Sequence, residues 1–284
     1  MIQVKDLDFA YRRKPPLFSS LDLELEDGNI YGLLGKNGAG KTTLLKIISG
    51  LLFPKQGQCL VNGVEPGNRS PQLLSQLFFI GEEFVLPLMR AENYVRFYSP
   101  FYPEFDRNLL NTALDEFEFK EQGPLNKMSY GQMKKFLIAF GLACRSRILI
   151  LDEPTNGLDI PAKSQFRKLM AGSISEDRIF LISTHQVRDM QNLIDPVVIL
   201  DQGKIVFSAD SNEISSKVSV EHRQTQPGDD QLYSEKVPLG YACLSENTDE
   251  KESQVDLEIL FNAVTRKPAE MQRLFSRPNS EVTK

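Results

Sequence analysis

The chain has 284 residues and a formal net charge of -5, from 33 lysines and arginines against 38 aspartates and glutamates. Its longest stretch without a formal charge, residues 70–81, is far shorter than the roughly 20 apolar residues that cross a membrane. The acidic balance also argues against a nucleic-acid partner, and three scattered cysteines with two histidines favour neither disulfides nor a His/Cys metal site.

The first 81 residues predict antiparallel strands followed by a buried strand and a helix. Residues 2–4 and 21–26 alternate apolar and polar side chains, as half-buried antiparallel strands do. Residues 30–34 form a largely apolar run that is typical of a fully buried strand. A helix is predicted over residues 40–52, ended by Pro54.

The next segment, residues 82–146, predicts a helical insert. Residues 107–119 place leucine, alanine and phenylalanine side chains on one helical face, which indicates an amphipathic helix. A second helix is predicted from about Ser129 to Cys144, with phenylalanine, leucine and methionine as its apolar residues.

Strand patterns return at residues 148–151, 179–182 and 197–200, separated by helical stretches. Continuous apolar runs that alternate with helices indicate a parallel sheet covered on both faces. We therefore predict an α/β fold whose core, with its antiparallel β subdomain, consists of residues 1–81 and 147–214.

The remaining residues, 215–284, predict a small α+β extension at the C-terminus. Residues 215–230 are polar and contain Pro-Gly, which favours a linker or an exposed loop. Residues 232–244 predict a small hairpin, and residues 255–264 predict a short amphipathic helix.

Residues 35–42 spell G-K-N-G-A-G-K-T, which fits the pattern G-x-x-x-x-G-K-[ST] between a predicted strand and a predicted helix. Glycines let backbone N–H groups converge on phosphate oxygens, and the start of the helix adds its positive end. In this pattern Lys41 reaches the β- and γ-phosphates and the Thr42 hydroxyl binds Mg²⁺. The loop predicts a P-loop NTPase core. Its predicted nucleotide-binding residues are Gly35, Lys36, Asn37, Gly38, Ala39, Gly40, Lys41, Thr42 and Thr43.

Two acids, Asp152 and Glu153, directly follow the buried strand pattern at residues 148–151. They are therefore expected at the carboxyl end of a central strand, where open α/β sheets bind their ligands. By itself this pair fits a solvated strand end equally well. Together with the glycine-rich loop it predicts that Asp152 holds Mg²⁺ through water and that Glu153 accepts a proton from an attacking water.

In their order and spacing these motifs resemble those of the nucleotide-binding subunits of ABC (ATP-binding cassette) transporters, over residues 1 to about 212. After the phosphate loop come the Met-Ser-Tyr-Gly-Gln segment at 128–132, the Asp-Glu-Pro-Thr-Asn-Gly-Leu-Asp run at 152–159 and Ser-Thr-His at 183–185. The resemblance implies a RecA-like core, with residues 82–146 as the helical subdomain that carries the signature motif.

The resemblance also implies roles for particular residues. Tyr11 stacks on adenine, Asp159 belongs to the D-loop, and His185 contacts the γ-phosphate. With His185, the catalytic residues are Lys41 and Glu153. In this family the signature segment faces the ATP of the opposite subunit, so two chains enclose two ATP molecules. The signature residues here are Ser129, Tyr130, Gly131 and Gln132.

Two positions depart from the family's pattern. The signature has Tyr130 where the family usually has glycine. The Q-loop, which normally offers a glutamine, has Glu82 at the best-aligned position, with Glu83 as the second choice. We expect Glu82 to replace that glutamine as a ligand of Mg²⁺, alongside Thr42 and Asp152, and to make ATP hydrolysis more dependent on Mg²⁺.

The implied function is that of an ATP- and Mg²⁺-dependent ATPase that works, as a homodimer, with separately encoded integral membrane permease subunits. We expect it to be cytoplasmic and peripheral on the inner face of the cell membrane, since the first residues show no secretory signal. Residues 98–106 resemble a stretch of a prokaryotic ABC-2-type exporter subgroup that lies near the partner's coupling helix.

The alternative is a soluble ABC-type ATPase that acts on ribosomes or DNA. A single cassette without heptads or a basic patch favours the transporter over this alternative. A GTPase is disfavoured because no Asn-Lys-x-Asp motif is present.

Overall fold

The structure is a computed structural model that describes residues 1–225, 227–228, 231–248 and 255–275. Its strands are β1 (Ile2–Phe9), β2 (Phe18–Leu25), β3 (Asn29–Leu34), β4 (Gln56–Val61), β5 (Leu77–Ile80), β6 (Ile148–Asp152), β7 (Ile179–Thr184), β8 (Val197–Asp201), β9 (Lys204–Ala209), β10 (Val218–Arg223), β11 (Tyr233–Val237) and β12 (Gly240–Glu246). Its α-helices are α1 (Lys41–Ile48), α2 (Pro71–Leu74), α3 (Ala91–Tyr98), α4 (Arg107–Glu116), α5 (Tyr130–Ala143), α6 (Ile160–Ala171), α7 (Ser211–Lys217), α8 (Leu257–Arg266) and α9 (Pro268–Phe275). None of the helices in these ranges is long and apolar enough to span a membrane.

The central sheet has the strand order β5-β6-β7-β3-β8-β9, and every pair except β8–β9 is parallel. Strands β3, β6 and β7 are buried over nearly their whole length, because helices cover both faces of a parallel sheet. The carboxyl ends of these three strands are adjacent and lead into the phosphate loop, Glu153 and His185 respectively. The predicted α/β core is confirmed.

A second sheet, of order β2-β1-β4, is antiparallel and packs on the opposite side of α1 from the central sheet. In β2 the burial alternates along the strand, as the sequence predicted. Helix α1 fills the space between the sheets: Leu44, Leu45 and Ile48 are fully buried in one cluster with Leu23 and Leu33. This packing fixes the start of α1, and with it the phosphate loop, on the rigid core.

The helix predicted over residues 40–52 is shorter in the structure, where α1 ends at Ile48. The chain turns at Gly50, whose φ is +67, and a Cβ there would lie 2.2 Å from the carbonyl oxygen of Pro66. Gly50, rather than Pro54, therefore ends the helix, because only glycine fits this turn.

Helices α3, α4 and α5 lie between β5 and β6 in the chain, within the range 82–146. Tyr94 of α3 packs edge-on against Phe136 and Phe140 of α5, with ring centroids 5.3 and 5.1 Å apart. The Asp106 carboxylate caps the start of α4 by accepting hydrogen bonds from two backbone N–H groups. This aromatic cluster packs α3 against α5. The start of α5, which carries the signature residues, therefore belongs to a packed helical subdomain.

The C-terminal extension forms the sheet β10-β12-β11 with α8 beside it, and α9 packs on α8 and on β9 of the central sheet. The predicted hairpin and helix are present as β11–β12 and α8, but the linker predicted over residues 215–230 is wrong, because β10 occupies part of it. Val218 is fully buried in the same cluster as Leu244, so β10 is held by packing as well as by its pairing with β12. Residues 226, 229–230, 249–254 and 276–284 of the predicted extension lie outside the described residues.

The extension packs directly on the core. Helix α8 contacts the 3₁₀ turn Val187–Asp189, and the rings of Phe207 in β9 and Phe275 in α9 have centroids 4.8 Å apart. Buried residues of the extension and of the central sheet belong to one continuous hydrophobic cluster. The turn that α8 contacts begins two residues after His185, so the extension abuts the segment that carries this histidine.

Candidate active site

The phosphate loop connects β3 to α1 and takes its shape from glycines. Gly38 and Gly40 have φ values of +82 and +112, which other residues adopt only with strain. A Cβ on Gly40 would lie 2.6 Å from the Phe18 ring. The loop is therefore both curled and pressed against the antiparallel sheet.

The Lys41 side chain folds back over this loop. Its ammonium donates a hydrogen bond of 2.7 Å to the Gly35 carbonyl and lies 3.5 Å from Glu153 Oε1. Both charged side chains are almost completely buried. A buried ammonium needs a negative partner, so in this structure Glu153 balances the charge that Lys41 would offer to a phosphate.

Asp152, at the end of β6, links the start of α1 to β7. Its Oδ2 accepts a hydrogen bond of 2.7 Å from the Thr42 hydroxyl, and its Oδ1 accepts one from the Ser183 hydroxyl. Hydroxyl and carboxylate oxygens are the ligands that Mg²⁺ prefers, and Mg²⁺ completes its shell with water and substrate phosphates. Thr42 and Asp152 therefore fit a nucleotide-bound Mg²⁺.

Glu153 is held from two sides by the segment after β7. Its Oε1 lies 2.8 Å from His185 Nδ1, and its Oε2 accepts a hydrogen bond of 3.3 Å from the His185 backbone N–H. Glu153 also has a φ of +47, an uncommon backbone conformation for glutamate. Strained residues occur often at functional sites, and here the residue with the uncommon φ is the one whose carboxylate is hydrogen-bonded to the histidine.

Lys41, Thr42, Glu153 and His185 line one cavity of about 550 Å³, and Asp152 lies behind Thr42 without lining it. Tyr11 lies at its edge, with its hydroxyl 2.9 Å from the Thr43 hydroxyl and its ring edge-on to Phe9. Tyr11 is 39% exposed, and the Lys14 ammonium lies over its ring, 5.9 Å from the centroid. The predicted site residues that line the cavity are Tyr11, Lys36, Asn37, Gly38, Gly40, Lys41, Thr42, Thr43, Glu82, Glu153 and His185.

Three other predicted residues are placed differently. Ala39 is buried against the antiparallel sheet, and Gly35 contributes its carbonyl to Lys41. Asp159 lies outside this cavity and caps α6 by accepting a hydrogen bond of 2.8 Å from Ala162 N–H. In a single chain, the D-loop carboxylate is thus engaged in its own helix.

The signature segment also lies outside the lining of the cavity. Exposed Ser129 caps α5, and its hydroxyl accepts a hydrogen bond of 3.3 Å from Gln132 N–H. A Cβ on Gly131 would lie 2.9 Å from the Gly157 carbonyl oxygen, which explains the glycine at that position. The start of α5 therefore forms an exposed positive helix end that does not face the phosphate loop of its own chain.

Glu82 joins the cavity to the loop after β6. Its Oε1 accepts a hydrogen bond of 3.1 Å from Asn156 Nδ2, and its backbone carbonyl accepts one from the Tyr130 hydroxyl. The carboxylate is exposed on the cavity's edge. It supplies a further carboxylate oxygen to the lining of the cavity, within reach of solvent.

Sequence reasoning missed Lys134, which is fully buried in α5. Its ammonium donates hydrogen bonds of 2.8 and 3.0 Å to the carbonyls of Glu153 and Asn156. Burial lowers the pKa of Lys134 to about 8, against the opposing effect of nearby carboxylates, of which Glu82 is the largest. The available signal was a pair of adjacent lysines, Lys134 and Lys135, which are the only charged residues of the predicted helix, but the sequence does not say which of the two is buried.

A family model described as "ABC transporter" matches residues 18–156. The ABC transporter ATP-binding protein YtrB of Bacillus subtilis is 28% identical over 221 residues, which cover 76% of this chain and 74% of YtrB. The cobalt import ATP-binding protein CbiO of Salmonella paratyphi A is 30% identical over 245 residues, covering 80% of this chain and 88% of CbiO. A dimeric structure of the ATP-binding cassette MJ0796 in a post-hydrolysis state, bound to ADP and Pi, superposes with a TM-score of 0.65 at 21% identity, covering 74% of this chain and 98% of that one.

Proposed function

This chain belongs to the ABC transporter family, as one of its ATP-binding proteins, and on that premise we propose how its residues bind ATP, cleave it and couple cleavage to transport. The chain is the ATP-hydrolysing subunit of a transporter. The residue assignments rest on one observation: Lys41, Glu153 and His185 contact one another in one cavity, and Asp152 is hydrogen-bonded to Thr42 beside them.

ATP enters the cavity with its phosphates on the glycine-rich loop and its adenine on the Tyr11 ring. The loop's backbone N–H groups and the start of α1 stabilise the phosphate charge. Thr42, Asp152 and Glu82 would hold Mg²⁺, which supplies positive charge that neutralises the phosphate oxygens. A γ-phosphate competes with Glu153 for Lys41, because both are anions that the single ammonium can pair with.

Release from Lys41 leaves Glu153 as a carboxylate held in place by His185. In that state Glu153 accepts the proton of the attacking water, while Lys41 stabilises the charge on the transferring phosphoryl group. The His185 backbone N–H keeps the carboxylate oriented, and its imidazole contacts Glu153 and lines the cavity that would hold the γ-phosphate. Lys134 holds the Glu153 carbonyl and so restrains the base from behind.

Hydrolysis requires a second copy of this chain. The exposed start of α5, with Ser129, has no access to the phosphate loop of its own chain, yet it is built to bind an anion. In a two-fold dimer it serves the ATP of the partner, so that two ATP molecules are enclosed between two chains. The dimeric arrangement of the fold neighbour MJ0796 supports this.

A groove between the helical segment and the core is suited to a membrane partner. It holds about 800 Å³ and is lined by Leu51, Leu74 and the aromatic residues Tyr98, Phe101 and Tyr102, with Phe101 67% exposed. We assign it to a cytoplasmic helix of a separately encoded permease subunit, which places the chain at the inner face of the cell membrane. The working units are then the core of residues 1–81 and 147–214, the helical subdomain 82–146 and the extension 215–284.

The test replaces Glu153 with glutamine, which keeps the size of the side chain and one of its acceptor oxygens but removes the base. We expect Glu153→Gln to bind ATP, to dimerise with ATP but not with ADP, and to hydrolyse ATP at least about 100-fold more slowly. Light scattering measures the dimer, and phosphate release measures hydrolysis. Hydrolysis at the wild-type rate would show that Glu153 is not the base.

The matched control is Glu118→Gln. Glu118 also has a positive φ, +51, but it is exposed at the end of α4. This control should hydrolyse ATP at the wild-type rate. Copurification of the full chain with a membrane protein would support the transporter, whereas recovery with ribosomes would favour the soluble alternative.

A further inference from the structure

Tyr130 occupies the first position of α5, and its side chain contacts the segment before α3 of the same chain. Its ring stacks on Phe84, with centroids 5.1 Å apart and planes at 22°. Its hydroxyl donates a hydrogen bond to the backbone carbonyl of Glu82. Two independent contacts therefore tie the first turn of α5 to residues 82–84.

The Tyr130 ring also lies against the D-loop. A Cβ on Gly157 would come within 2.7 Å of the ring, and Gly157 has a φ of +80. The Lys134 ammonium lies 5.1 Å from the ring centroid, in cation–π range, and the same ammonium holds the Glu153 carbonyl. Tyr130 thus lies where three segments meet: the first turn of α5 with Ser129, which we call the signature turn, residues 82–84, and the loop after β6.

Glu82 gives this junction a connection to the nucleotide. Its carboxylate lies on the edge of the ATP cavity and is bonded to Asn156, while its carbonyl holds Tyr130. A backbone shift of Glu82 toward bound nucleotide would move the carbonyl that accepts the Tyr130 hydrogen bond. The state of the cavity is therefore passed to the first turn of α5.

We propose that Tyr130 is a positioning residue that couples the ATP site of its own chain to the signature turn that serves the partner's ATP. The inference rests on the proposed dimer, in which Ser129 acts across the interface. A glycine at position 130 would let the turn reorient independently. Tyr130 instead makes Ser129 follow residues 82–84, so the turn faces the partner correctly only when its own cavity is filled.

The experiment combines Tyr130→Gly with Phe84→Leu, singly and together, in the full-length Glu153→Gln chain. Equilibrium binding at low protein concentration gives the ATP affinity of the single chain, and sedimentation gives the dissociation constant of the ATP-bound dimer. We expect ATP affinity to stay within about twofold while Tyr130→Gly weakens the dimer about tenfold, the combined effect of one aromatic pair and one hydrogen bond.

The double variant distinguishes a contact within the chain from one across the interface. Phe84→Leu should weaken the dimer little further once Tyr130 is glycine, because Phe84 acts through that ring. Additive effects would mean that Tyr130 touches the partner directly, and would overturn the inference. An unchanged dimer in Tyr130→Gly would overturn it as well.

Tyr130→Phe is the control for the case in which Tyr130→Gly weakens the dimer only because the glycine variant is misfolded. It keeps the stack, loses only the hydrogen bond to Glu82, and should weaken the dimer about threefold. A Tyr130→Phe dimer as weak as that of Tyr130→Gly would contradict a role for the stack. If the Glu153→Gln parent fails to dimerise with ATP, the proposed function fails and this inference fails with it. If the Glu153→Gln parent dimerises with ATP and the Tyr130 variants dimerise equally well, the inference about Tyr130 fails while the proposed function stands.

Discussion

Two regions border the segment that carries His185, and they are held together by different interactions. On one side, the ATP cavity is joined by polar contacts between distant residues: the Thr42 hydroxyl and Asp152 are 110 positions apart in sequence. On the other side, the extension packs through apolar side chains. In it Leu244, Leu260 and Ala263 are fully buried in the cluster that continues into the core.

The difference predicts opposite responses to substitution. In the cavity the polar groups hold one another through specific hydrogen bonds and ion pairs, so the loss of one group changes the chemistry while the core beneath stays packed. In the extension each side chain contributes buried area, which stabilises the fold without touching ATP. Substitutions in the cavity should therefore lower activity without lowering stability. Substitutions in the extension should lower stability without lowering activity.

The largest effect is expected for Lys41→Ala. It removes the ammonium that pairs with Glu153 in this structure and that would pair with the γ-phosphate, so kcat/KM should fall about 10³-fold. Steady-state phosphate release measures this. The matched control is Lys46→Ala on the same helix, outside the cavity lining, which should retain wild-type kinetics. Equal losses in both variants would mean that α1, and not the Lys41 charge, had been damaged.

The polar region could be predicted from sequence only where chemistry demands a residue type at fixed spacing. Lys41, Thr42 and Asp152 meet this condition, because phosphate and Mg²⁺ accept few kinds of partner. Lys134 and Asn156 do not. Lys134 donates to backbone carbonyls, which every residue possesses, and Asn156 bonds Glu82 across two loops whose proximity only the fold creates.

The apolar packing of the core and of the extension could be predicted only in part, for a related reason. The runs that became β6 and β7 are continuous and apolar, so their burial was evident. Strand β10 has just two valines among polar residues, and its pairing with β12 depends on contacts from elsewhere in the extension. The end of α1 was also missed, because the space that Gly50 must leave for Pro66 belongs to tertiary packing.

An intermediate effect is expected in the extension for Leu260→Ala. The side chain is fully buried in α8, so its truncation should cost about 3 kcal/mol of unfolding free energy. That loss lowers the unfolding midpoint by about 6–12 °C. ATP affinity should stay unchanged, because α8 does not line the cavity.

Leu239→Ala is the matched control, since Leu239 lies in the same extension but is 92% exposed. Its unfolding midpoint should match the wild type. Calorimetry also tests whether the regions unfold together, as their shared hydrophobic cluster predicts. A separate low-temperature transition that Leu260→Ala alone shifts would show that the extension is an independent unit.

The smallest effect is expected where the two regions meet. Arg188, three residues after His185, forms an ion pair with Glu258 of α8, and both side chains are substantially exposed. Such pairs contribute well under 1 kcal/mol and weaken with salt. Arg188→Ala, Glu258→Ala and the double variant should therefore show a coupling of at most about 0.5 kcal/mol in stability and almost none in ATP hydrolysis. A coupling in kcat larger than the coupling in stability would break the division between the regions, because the extension would then act on His185 through the turn Val187–Asp189.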